Sequence, residues 1–163
     1  MSSFNANVYL TVTLAPHELN LDLMENIKKA VINRYLHKEN GGFMAKNIKI
    51  IEDANTDMPL GEIVNNEIVV HVPCNVDFKY YKAGDVVAGT LVITDESDIS
   101  VISNDLICKI RSDSGTVSYD NSKYCFIKNG KVYANESTVT VMLKEAQSGT
   151  ESYFVFLGNI IEK

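Results

Sequence analysis

Tyr80-Tyr81-Lys82-Ala83-Gly84-Asp85-Val86-Val87-Ala88-Gly89-Thr90-Leu91-Val92-Ile93 decides the fold. An aromatic pair and a Lys-x-Gly-Asp turn lead into a β-branched run that carries a glycine at its fourth position. Gly84 can take a positive φ in the turn before the strand. Gly89, inside the strand, predicts a bend or bulge where the sheet must curl. A first strand that bends in this way is what a small closed barrel requires. An ordinary strand with an incidental glycine is the competing reading, and position decides between them. The chain before this segment reads as one unit, and the chain after it reads as short strands.

Upstream, Val8, Leu10, Val12 and Leu14 alternate with Tyr9, Thr11 and Thr13, the period-two pattern of a half-buried strand. Pro16 closes it. Asn20 is a candidate N-cap, with Asp22 in the first turn. Leu23, Met24, Ile27, Val31, Tyr35 and Leu36 recur at helical spacing, which predicts an amphipathic helix from about Leu21 to Lys38, ended by Asn40-Gly41-Gly42. Arg34, His37 and Lys38 suit its negative C-terminal end. Phe43 to Ile51 predicts a second strand, and Asn55 to Gly61 a polar loop with an apolar tip at Met58-Pro59-Leu60. Glu67 to Val72 predicts a third strand stopped by Pro73, with the run to Phe78 as the transition.

Downstream, strands are expected at Val86 to Thr94, Ile99 to Ile102, Leu106 to Arg111, Ser137 to Leu143 and Ser152 to Ile161. Asn129-Gly130, flanked by Lys123 to Ile127 and Lys131 to Tyr133, signals a hairpin with a primed turn. The fold class is therefore α+β: one helix on a small antiparallel sheet in residues 1–78, then a β-barrel in residues 79–163.

Several function classes are disfavoured. Residues 1–78 hold 6 Lys/Arg against 10 Asp/Glu, and residues 79–163 hold 9 against 11. Neither half has the basic balance of a free-standing nucleic-acid binder. No apolar run reaches the roughly 18 residues of a membrane span, and Met1 to Leu10 lacks signal-peptide character, so no membrane partner is expected. Cys74, Cys108 and Cys125 are scattered and odd in number, which suits buried apolar thiols in a reducing compartment. His17, His37 and His71 do not cluster with them, and no metal or cofactor is expected. No phosphate-binding loop, nucleophile elbow or zinc-protease helix is present. Asp95, Glu96 and Asp98 fall in an apparent turn rather than a metal-holding cluster. Asn135-Glu136-Ser137 matches a glycosylation sequon by chance.

Six further blocks carry a resemblance. They are Met1-Ser2-Ser3-Phe4, Leu14-x-Pro16-His17-Glu18-Leu19, Pro59 to Asn66, Asp105 to Lys109, Asp113 to Ser118 and Ser122 to Phe126. Together with the two-part organisation, they resemble the stalk subunits of multisubunit RNA polymerases, the family that includes the archaeal stalk protein and the eukaryotic seventh subunits. The narrowest resemblance is to the 18 kDa subunit family of poxvirus DNA-dependent RNA polymerases, and it runs from Met1 nearly to Lys163.

That resemblance implies an N-terminal tip domain followed by an OB-fold/S1-like barrel. It implies a non-catalytic stalk subunit acting in host cytoplasm and carried in virions. The implied partners are other polymerase subunits, the large catalytic ones above all, with at most weak contact to nascent RNA. Core docking is expected from Pro16, Leu19, Met58, Pro59 and Leu60. RNA-contact residues do not carry over: many S1 domains present aromatic and histidine side chains on their second and third strands, yet Asp95 to Arg111 contains none. Tyr119, Tyr124 and Phe126 are either a substitute surface or, on the better-supported reading, core or partner contacts. The rival functions are a free-standing OB-fold binder of single-stranded nucleic acid and a small cytosolic enzyme.

Overall fold

The alternation at Val8 to Leu14 extends back toward the N-terminus, so that β1 runs Ser2–Leu14. A computed structural model describes residues 1–52, 61–120 and 123–162. It divides into two compact units, Ser2–Tyr80 and Tyr81–Lys163, with Met1 assigned to the second. The chain is mostly strand, with one α-helix among the described residues.

In the first unit, α1 (Leu23–Tyr35) follows β1, and Ile27 and Val31 form its buried face. They pack with Leu10, Val12, Leu14, Val70, Val72, Cys74 and Val76 in one apolar core. Burying each such side chain is worth roughly 1.5–3 kcal/mol. The helix is shorter than its periodicity suggests at both ends. At the start, Asn20 is not the N-cap; its Oδ1 accepts from the Asp22 amide at 2.9 Å, a turn that precedes the helix. At the end, Leu36 bridges Ala45 and the His37 amide donates to the Ala45 carbonyl at 2.9 Å, which draws the chain into the sheet. Gly41 and Gly42, both at positive φ, instead turn β2 (Glu39–Asn40) into β3 (Phe43–Ile50).

The hairpin of β4 (Gly61–Val64) and β5 (Glu67–Tyr80) was hidden in the sequence by its short first strand. Asn65 and Asn66, with φ of 50° and 66°, make its two-residue turn. Pro73 does not stop β5, contrary to expectation. On one side of β5, β1 pairs along the whole strand, from Leu14 opposite Ile68 to Ser2 opposite Tyr80. On the other side β4 pairs residues 67–70 and β3 pairs residues 74–79. Pro73 falls in the gap between those two partners, where a missing N–H costs the ladder nothing.

The second unit contains β6 (Val86–Ile93), β7 (Ile99–Ser103), β8 (Leu106–Ile110), β12 (Thr138–Thr150) and β13 (Tyr153–Ile161). These five close a barrel in the order β12-β13-β8-β7-β6. β13 and β8 run parallel, and the other neighbours, including the closing pair β12 and β6, run antiparallel. A five-stranded closed barrel of this kind is consistent with an OB-fold. Leu91, Ile93, Ile99, Val101, Leu106, Cys108, Val141, Leu143, Phe154 and Phe156 are buried.

Gly84 has φ of 89° and its amide bonds the Leu143 carbonyl at 2.8 Å, as a turn glycine should. Gly89 is not a bulge: its register opposite Val139 is continuous. Its role is close approach, because a Cβ there would stand 2.6 Å from the carbonyl oxygen of Ile102.

The Asn129-Gly130 turn forms as expected, with φ of 52° and 78°. However, its strands β10 (Lys123–Lys128) and β11 (Lys131–Ala134) are not barrel staves. They join β9 (Thr116–Asp120) in a separate three-stranded sheet.

Candidate functional site

The first expected contact region is the turn after β1. Glu18 Oε2 accepts from the Ala15 amide at 2.7 Å, and the Glu18 amide donates to the Ala15 carbonyl at 2.9 Å, so Pro16–Glu18 forms one turn of 3-10 helix. Asn26 on α1 fixes this turn by donating to the Glu18 carbonyl at 2.9 Å. Leu19 consequently sits on an anchored turn with 48% of its surface exposed, and Leu21 is fully exposed beside it. Leu21 escaped the sequence reading because it looked like the first residue of the helix; its exposure follows from the later helix start. Met58, Pro59 and Leu60 lie outside the described residues, so the structure places Pro16 and Leu19 alone.

The second region is the β9-β10-β11 sheet. Cross-strand register sets Tyr119 opposite Tyr124, with ring centroids 4.8 Å apart, and Phe126 opposite Val117. Phe126 is fully buried and belongs to the core, whereas Tyr119 is 62% exposed. The three aromatics therefore do not form one surface. Lys131 lies 5.5 Å above the ring of Tyr133 at the other end of the sheet. On the barrel itself, the outward positions of β7 and β8 include Ser100, Ile102, Ile107 and Lys109, which offer no ring for a base to stack on.

The titratable groups with the largest shifts are structural. Burial pushes the Cys108 thiol up to about 12 and the Cys74 thiol up to about 11. Burial, then the hydrogen bond its hydroxyl donates to Asp105 at 2.8 Å, raises Tyr81 well above the ordinary phenol range. His71 bonds Thr11 on the polar face of the first sheet at 2.9 Å. Among the described residues, no three His, Cys, Asp or Glu side chains group as metal ligands.

Comparison with known proteins decides the family. The family model for the poxvirus DNA-directed RNA polymerase 18 kD subunit matches residues 2–162. The chain belongs to that family. Its relatives include the DNA-directed RNA polymerase 18 kDa subunit of fowlpox virus (strain NVSL), 80% identical over 163 residues and covering all of both chains. The subunits of the same name from variola virus and from vaccinia virus (strain Copenhagen) are each 57% identical over 162 residues, covering 99% of both chains. The matches therefore span both units of the chain.

Proposed function

We propose that the chain is a non-catalytic stalk subunit of a viral DNA-directed RNA polymerase, working in transcription of viral genes in host cytoplasm and packaged in virions. The observation that carries this reading is the full-length match to polymerase 18 kDa subunits, up to 80% identical. In this reading residues 1–78 are the tip domain and residues 79–163 the OB-fold/S1-like barrel domain. Nucleotidyl transfer, which needs clustered carboxylates holding metal ions, is assigned to the large catalytic subunits.

Docking on those subunits is assigned to Pro16, Leu19, Met58, Pro59 and Leu60. The exposed, anchored Leu19 supports this assignment, because an apolar side chain held on a rigid turn loses little entropy when it is buried by a partner. The test is a virus expressing the Met58→Asp, Leu60→Asp double variant, from which the polymerase is purified. The variant should be lost from the enzyme while the isolated chain keeps its circular dichroism spectrum. Normal retention would overturn the docking assignment.

A further inference from the structure

The groove between α1 and β3 combines three properties that suit an extended chain. It is a cleft of about 520 Å³ lined by Val31, Ile32, Ile48 and Ile50, with Lys28, Lys49 and Glu52 at its sides. Among the described residues, its wall includes an open sheet edge. β2 covers only Phe43 and Met44 on the outer side of β3, and Leu36 bridges Ala45. Among the described residues, nothing pairs that edge from Lys46 to Ile50. Such an edge presents a row of backbone donors and acceptors ready to take another strand. Ile32, 46% exposed on α1, overlooks it.

Charge supplies the third property. All six Lys/Arg residues of the first 78 lie between Lys28 and Lys49, a stretch holding a single acid, Glu39, in a chain whose net charge is −6. Lys28 is matched by Glu52 at 2.7 Å and Lys29 faces Glu25 at 3.9 Å. Even after these two pairs, cations outnumber acids along the band.

We propose that this groove receives an extended acidic and apolar segment of a neighbouring polymerase subunit, added as a strand to the outer edge of β3. Apolar side chains of that segment would face Ile32, Ile48 and Ile50, while its acids would face Lys49 and the basic band. Single-stranded RNA fits less well, since none of the lining residues is aromatic and RNA gains much of its affinity from stacking. The identity of the neighbour as a polymerase subunit rests on the function proposed above; none of the lining residues is Pro16 or Leu19.

The experiment uses polymerase purified from infected cells, with a photo-crosslinking amino acid at position 32 or 49 and, as control, at the exposed Tyr9. Both groove positions should crosslink to one peptide of another subunit, rich in acids and apolar residues, and Tyr9 should not. Lys49→Glu should lower the crosslink from position 32 at least fivefold. Amide exchange over residues 46–50 should be at least tenfold slower in the enzyme than in the free full-length chain. Crosslinks to RNA, crosslinks confined to this chain, or unchanged exchange would each overturn the inference. Failure of the chain to co-purify with polymerase would instead overturn the functional reading; co-purification with an unprotected edge would remove the groove inference alone.

Discussion

Gly89 on β6 meets the backbone of Ile102 on β7 so closely that no side chain fits between them. A Cβ at Gly89 would lie 2.6 Å from the Ile102 carbonyl oxygen and 2.9 Å from Cγ1 of Val101. The obstacle is backbone, which cannot swing aside as the end of a long side chain would. Gly89→Val is therefore expected to destabilise the second unit by roughly 1–3 kcal/mol, the usual cost of overpacking, although valine is the better strand former. Urea unfolding of the full-length chain checks this. A transition midpoint that stays put or rises would show that the two strands have room to separate.

Tyr81→Phe removes the hydroxyl that donates to Asp105, and edge-on packing of the ring against Phe154 should survive the change. The expected loss near neutral pH is about 1.5–3 kcal/mol, as for hydrogen bonds to charged groups. The alkaline side gives a second readout. Because the folded chain holds the Tyr81 proton more tightly than the unfolded chain, this contribution is complete below the unfolded value of about 10 and declines as pH rises past it. Chemical denaturation at pH 9, 10 and 11 should show a shallower decline for the variant than for the parent.

Native-state alkylation should distinguish the cysteines. Cys74 and Cys108 are buried and their thiols are held protonated far above neutrality, so neither presents a thiolate. Cys125 is partly exposed. With iodoacetamide at pH 8, peptide mass spectrometry should find Cys125 modified first, by at least tenfold. Comparable labelling of Cys108 would mean that the barrel opens locally on the reaction timescale.

The isolated chain should bind single-stranded RNA no tighter than the roughly 10⁻⁴ to 10⁻⁶ M of non-specific binding at physiological salt. The net charge of −6 and the lack of rings on the outer faces of β7 and β8 argue for this limit. Fluorescence anisotropy at that salt is the measurement. A submicromolar dissociation constant would favour a free-standing binder.

Much of the barrel was legible in the sequence because its strands alternate cleanly and short polar turns such as Asp95 to Asp98 separate them. Element ends were less legible. Pro73 reads as a strand stop to anyone who sees one chain, and only the gap between the partners β4 and β3 makes it harmless. The helix end at Tyr35 depends on a bridge from Leu36 to Ala45, a contact between segments that no local pattern encodes. The assignment of β10 and β11 to a sheet of their own was equally invisible, since a hairpin looks the same inside a barrel or beside it. As for the candidate contact residues, Leu19 was expected at a turn and is exposed just after one. The groove beside β3 was missed because its open edge is defined, among the described residues, by what does not pair there.

The pairing of Ser2 with Tyr80 also sets the timing of biosynthesis. β1 is the first strand to leave the ribosome, and the tail of its partner β5 is made nearly 80 residues later. At translation rates of about 5–20 residues per second, β1 waits on the order of 10 s for that partner, with α1 alone made early enough to lie against Leu10, Val12 and Leu14. Local structure cannot shorten that interval, because among the described residues the strand that pairs with β1 is supplied by residues 68–80. The first sheet is therefore completed only when β5 has been made, while the β6–β7–β8 staves, joined to their neighbours by short turns, can begin to pair as they emerge.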